Sequence, residues 1–215
     1  MISKTQMEKI EKFRSVLKKY SPNQFLEQND FITVLELFKT HPSWKKKEGN
    51  GIAKIQVIID KWKNKNYLLH RIDSSTTDIS FIIAARGKSD SLKKKLMSAC
   101  RNAIQQIILE QKDKIKYGIQ QCPITNQILT KENTHIDHYD LTFKEVFDKW
   151  IKNFDIQELQ KKLNDSSKDL VVEDFFIDEE IKKNFVEFHN ANTHLRPIST
   201  NANLSILRKK GGTTK

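Results

Sequence analysis

Apolar residues recur at helical spacing over residues 5–20, where Met7, Ile10, Phe13, Val16 and Leu17 form one stripe of an expected amphipathic helix. Ser21-Pro22-Asn23 breaks it. A second, short helix is expected from about Asp30, read as the N-cap of FITVLELF. His41-Pro42 and Gly49-Asn50-Gly51 then mark turns. At 52–59 the period changes to two, and the β-branched run IAKIQVII reads as a strand. YLLHRID near 67–73 and DISFIIA near 78–84 read as two more. Gly87 to Asp90 forms a loop and cap before a long helix over about 90–112, with Leu92, Leu96, Ala99, Ala103, Ile107 and Ile108 at helical spacing. Antiparallel strands covered by helices make residues 1–118 a small α+β domain, with Gly118 marking the expected boundary.

Helical periodicity dominates beyond it. Phe143, Val146, Phe147, Trp150 and Ile151 share one face, and Ile181, Phe185 and Phe188 share another after a polar loop at Asn164 to Ser167. Such aromatic stripes are read as core rather than as base-stacking platforms, because a helix must bury one face. No internal repeat appears, and the tail RKKGGTTK is expected to fray.

Composition narrows the function classes. The 215 residues are 37% hydrophobic and 30% charged, which suits a soluble chain with a real core. No stretch approaches the roughly 18 apolar residues of a membrane span, and the charged N-terminus does not read as a signal peptide. Two cysteines, Cys100 and Cys122, are too few for a disulfide framework, so a reducing, cytoplasmic setting is expected. The net charge of +11 is unevenly placed. Residues 1–120 hold 24 Lys and Arg against 12 Asp and Glu, whereas 121–215 hold 14 against 15. A basic N-terminal part gathers polyanions by counterion release, which points to nucleic acid; a lysine-rich solvated surface is the plainer alternative.

Four of the six histidines lie between residues 135 and 194. Hydrolysis of a phosphodiester near neutral pH needs a base for the attacking water and a cation for the developing charge. A hard cation that keeps its waters needs only one carboxylate and one amide oxygen from the protein. Asp137 and Asn203 offer those oxygens, and His138 offers the base. Adjacent strand residues point to opposite faces, so Asp137 and His138 can serve one site only where the strand ends or kinks.

These segments resemble the HNH, or ββα-metal, nuclease family: Asp-His, then a strand of the form x-Leu-x-Pro-hydrophobic, then a helix starting near Asn. Cys122-Pro123-Ile124-Thr125 resembles the family's first CxxC knuckle with its second cysteine replaced. Pro197 to Asn203 resembles the second knuckle with both cysteines replaced. The resemblance implies Asp137 and Asn203 as metal ligands, His138 as general base, and His194, ahead of Leu195, as a residue that holds the loop and base in position. It implies Mg²⁺ or Mn²⁺. With one knuckle cysteine left, no structural zinc is expected, since tetrahedral zinc needs four N or S ligands. Residues 119–215 are then a zinc-free finger with a helical insertion at 140–188. His135 shares the face of Asp137 and could approach the metal, and His189 ends a helix; for both, a structural role is the preferred reading.

A more diffuse resemblance, over about residues 30–110, is to the small domain named for the plant "defective chloroplasts and leaves" protein. It rests on His41-Pro42, Gly49 to Gly51 and Arg101, and implies an accessory, nucleic-acid-binding role. Lys45, Lys46 and Lys47 beside Trp44 read as a basic loop for phosphate contacts and a base stack, or equally as a solvated turn over a buried tryptophan. Arg196, Arg208, Lys209 and Lys210 read as cations gripping phosphates near the metal. The expectation is a two-part α+β protein: a basic domain that docks double-stranded DNA, and a metal-dependent HNH endonuclease finger that cuts it, in restriction or another defence role. A double-strand cutter with one site per chain pairs up by symmetry, so a homodimer is a candidate assembly. The competing reading is a non-catalytic adaptor for RNA or a transcription complex.

Overall fold

The computed structural model describes residues 3–60, 64–165 and 174–207. The chain folds as two compact units: residues 1–91 with 165–173, and residues 92–164 with 174–215. Both mix helices with small antiparallel sheets, so the α+β class holds.

In the first unit, β1 (Ile52–Ile59), β2 (Lys65–Arg71) and β3 (Thr76–Ile79) form an antiparallel sheet in that order. The register pairs Ile55 with Leu69, Val57 with Tyr67, and Tyr67 with Ile79. Period-two alternation turns these five side chains to one face, where all are buried. Helices α1 (Lys4–Lys19), α2 (Gln28–Phe38) and α4 (Phe81–Arg86) supply the rest of that core through Phe13, Phe38 and Phe81.

The apolar run after β3 departs from the expected strand. Ser80 caps a helix by accepting a hydrogen bond from the Ile83 amide at 3.3 Å, and Gly87 ends it in the left-handed region, at φ 65°. A Ser cap and a Gly stop with six residues between them outweigh the β-branched composition of Phe81-Ile82-Ile83-Ala84. Asp30 is likewise not an N-cap. It lies in the first turn of α2, where its carboxylate accepts from Lys19 at 2.9 Å and from the Tyr20 hydroxyl at 2.8 Å.

The expected basic loop is a short helix, α3 (Trp44–Glu48), with Trp44 and Lys47 turned inward. Lys47 is 4% exposed, and its ammonium donates to Thr77 at 3.0 Å and to Asp78 at 3.1 Å. Lys47 therefore ties α3 to β3 and has no route to a phosphate, and buried Trp44 cannot stack on a base. Lys45 and Lys46 are exposed.

In the second unit, the expected long helix breaks at Ile104 into α5 (Leu92–Ala103) and α6 (Gln105–Asp113). Leu96, Ala99, Cys100 and Ile104 pack with Phe143, Phe147 and Trp150 of α7 (Phe143–Trp150), Leu159 of α8 (Ile156–Lys161) and Phe185 of α9 (Glu179–Asn192). That packing moves the division to Ser91/Leu92, ahead of the expected 118. Each large side chain in this cluster contributes roughly 1.5–3 kcal/mol by leaving water. Between α6 and α7 lies β4 (Thr134–His138), and after α9 comes β5 (Leu195–Ser199), antiparallel to it. A wide helical turn of π type, Ala202–Leu207, follows β5. The helices α7 to α9 thus sit between the two strands of one ladder, where the insertion at 140–188 was expected.

Candidate functional site

The β4–β5 ladder pairs Asp137 with Arg196 and His135 with Ile198. His135 and Asp137, two apart on β4, share a face. On it, the Arg196 guanidinium donates through Nε to Asp137 Oδ2 at 3.0 Å and lies over the Tyr139 ring at 4.3 Å. The helical turn after β5 brings Asn203 to the same face: its Nδ2 donates to His135 Nδ1 at 2.7 Å. With its NH₂ group so engaged, the carboxamide oxygen of Asn203 is left for another partner. One carboxylate and one amide oxygen on a common face are the types of donor that Mg²⁺ or Mn²⁺ takes. Among the described residues, no group of three or more His, Cys, Asp and Glu is placed to hold a metal ion.

His138 ends β4 and turns to the other side. Its ring meets Phe143 edge-on, with centroids 5.6 Å apart, and its Nε2 lies 3.1 Å from Nε2 of His189. His189 is 1% exposed, on the inner face of α9 one turn beyond Phe185. Its Nδ1 faces the Asn190 side-chain oxygen at 3.1 Å. Burial pulls His138 down to about 4; His189 adds to the shift, Asp137 opposes it and Arg101 adds a little. Burial also lowers His189, against the Asn190 hydrogen bond. Burial thus favours the neutral form of both rings, and a neutral imidazole is what a base must be.

His194 acts through its backbone: its carbonyl accepts from the Tyr139 amide at 2.8 Å, which ties the residue after His138 to the start of β5. Its ring stands in solvent, bonded to Asp140. Arg196 is bound to Asp137, and Arg208, Lys209 and Lys210 lie outside the described residues.

A second cluster braces the far end of the ladder. Cys122 is buried, and its thiol interacts with Ser199 and Thr125. Thr125 and Ser199 hydroxyls are 2.9 Å apart, and Ser199 Oγ accepts from the Ala202 amide at 3.2 Å. Burial pushes the Cys122 thiol up, but hydrogen bonds from Ser199, Thr125 and Ile124 together outweigh it and bring it down to about 6. Residues 122, 125, 199 and 202 are the four positions aligned with the two cysteine knuckles. They meet in one place, joined by hydrogen bonds and by packing with Ile115, Leu129 and Ile198.

Sequence reasoning left three of these partnerships unseen: His138 with His189, Asn203 with His135, and Asp137 with Arg196. The first had a signal, since His189 follows Phe185 by one helical turn on an otherwise apolar face. The other two depend on ladder register, which no local pattern carries.

Comparison with known proteins adds little. Residues 14–84 match a family described as a protein of unknown function (DUF3223), a match confined to the first unit. No curated protein matches the chain. A solution NMR structure of an uncharacterized protein from Rhodospirillum rubrum is 20% identical over 37% of this chain and 76% of its own, with a TM-score of 0.36. Among the described residues no helix is long and apolar enough to cross a membrane.

Proposed function

We propose that the second unit is a zinc-free HNH-type endonuclease that hydrolyses phosphodiester bonds in DNA, and that the basic first unit docks the nucleic acid. The observation that carries this reading is the gathering of Asp137 and Asn203, 66 positions apart in the chain, on one face of the β4–β5 ladder, with His138 next to Asp137 at the end of the strand and its ring on the other side. The meeting of residues 122, 125, 199 and 202 supports it independently, because a hydrogen-bonded knot at knuckle positions can brace a finger without zinc.

In this reading the Asp137 carboxylate and the Asn203 amide oxygen would hold Mg²⁺ or Mn²⁺, which supplies charge stabilisation at the phosphate and the leaving oxygen. His138 takes the proton of the attacking water. The His194 carbonyl fixes the chain beyond His138. Arg196 lies where it could reach a bound phosphate if released from Asp137. Exposed Lys45 and Lys46 extend the cationic surface of the first unit, on which double-stranded DNA is the expected partner. A homodimer would place two such sites on opposite strands.

A second reading, a non-catalytic nucleic-acid adaptor, is favoured by the Arg196–Asp137 ion pair and by the seat of His138 against Phe143. Nicking of supercoiled plasmid with Mg²⁺, Mn²⁺ or EDTA separates the two. The nuclease reading expects metal-dependent nicking that His138→Ala reduces by about 10²–10⁴ while DNA retention stays intact. Wild-type protein that retains DNA but never nicks it establishes the adaptor instead, and His138→Ala that cuts normally removes His138 as the base.

A further inference from the structure

We infer that His189 and Asn190 form a relay that fixes the tautomer of His138, with its proton on Nε2 and its lone pair on Nδ1. The inference rests on the nuclease reading for its catalytic meaning but on geometry for its content. The Asn190 side-chain oxygen can only accept, so at 3.1 Å it accepts a hydrogen bond from His189 Nδ1–H. A neutral His189 protonated at Nδ1 has a bare Nε2. That bare nitrogen faces His138 Nε2 at 3.1 Å and therefore accepts from it. A neutral His138 protonated at Nε2 has its lone pair at Nδ1. Each step forces the next, since a neutral imidazole carries one donor and one acceptor.

Burial makes the relay more than an incidental contact. His189 is 1% exposed, so its ring is almost wholly withdrawn from solvent. Phe143 and Phe185 flank the two imidazoles and hold them edge to face, with ring centroids 5.2 Å apart. The logic is that of a triad, in which a buried acceptor sets the orientation and tautomer of the base. His189 is a positioning residue: it touches His138, the base of the proposed reaction.

Uniformly ¹⁵N-labelled full-length protein at neutral pH tests this directly. The expected spectrum places the His189 proton on Nδ1 and the His138 proton on Nε2, with a coupling between the two Nε2 nuclei across the hydrogen bond. The opposite tautomers, or no such coupling, overturn the relay whether or not the protein cuts DNA. In the nicking assay, His189→Gln, whose amide oxygen can still accept from His138, should cleave within about tenfold of wild type, whereas His189→Leu falls by about 10² or more. Equal loss in both variants, with folding intact, also overturns it. A wild type that shows the expected tautomers but no nicking refutes the nuclease reading and leaves the relay standing.

Discussion

A divalent cation on Asp137 would compete with Arg196 for the charge of one carboxylate, and the cost of that competition can be worked out. The guanidinium and carboxylate meet at 3.0 Å, with side chains 25% and 16% exposed. Unit charges about 4 Å apart attract by about 4 kcal/mol at the effective dielectric of a protein surface. Desolvation of two mostly covered groups offsets the larger part, leaving a net pair of roughly 1–1.5 kcal/mol. A metal ion that must displace the guanidinium binds more weakly by that amount, and about 1.4 kcal/mol is tenfold in affinity. Arg196→Gln keeps a hydrogen-bond donor for Asp137 and removes the competing charge. Its Mn²⁺ dissociation constant, measured by titration calorimetry on EDTA-stripped protein, should be about tenfold tighter than wild type. Asp137→Asn should abolish binding, and Arg196→Lys should restore most of the competition. Because the net pair is small, thermal unfolding of Arg196→Gln should shift by only a few degrees. An Arg196→Gln protein that binds Mn²⁺ no better than wild type, or worse, would show that the arginine supports the site and that the competition argument is wrong.

Two further outcomes concern the first unit. His41 is 8% exposed, and burial, with the Lys47 charge adding to it, holds the ring at about 4 against an ordinary 6.5. A lowered folded pKa means that the stability is fully present above pH 6.5 and is lost as pH falls towards 4. Urea melts of wild type between those limits should lose about 3 kcal/mol that His41→Gln does not lose; parallel curves would exclude His41 as the source. Lysines 45 and 47 should separate cleanly. Lys47→Ala breaks a buried contact with Thr77 and Asp78 and should destabilise by about 2 kcal/mol, discounted for the partial exposure of Asp78. Lys45→Ala should stay within about 0.5 kcal/mol, yet lower the slope of log affinity for DNA against log salt by about one. Equal stability losses, or an unchanged salt slope for Lys45→Ala, would refute that division.

The amphipathic stripes of α1, α7 and α9 and the alternation of β1 and β2 were legible because each element buries one face, and that demand writes a period into the residues. The fold class followed from the same patterns, whereas the choice of Asp137, His138 and Asn203 as candidate site residues rested on their donor chemistry and on the family resemblance. Local signals misled where a cap outweighed composition, as at Ser80, or where a lysine in a polar run turned inward onto a half-buried carboxylate, as at Lys47. Periodicity also cannot say which neighbour covers a stripe. The apolar face of α5 reads the same whether a sheet or α7 and α9 bury it, so the division at Ser91/Leu92 needed the tertiary packing. The pairings of His138 with His189, His135 with Asn203, and Asp137 with Arg196 join positions 51 to 68 residues apart. Sequence determined which groups were available to act as base, ligand and counter-ion. Only ladder register and the return of the chain after α9 decided which of them touch, because contact between distant residues is set by the closure of the core and not by local preference.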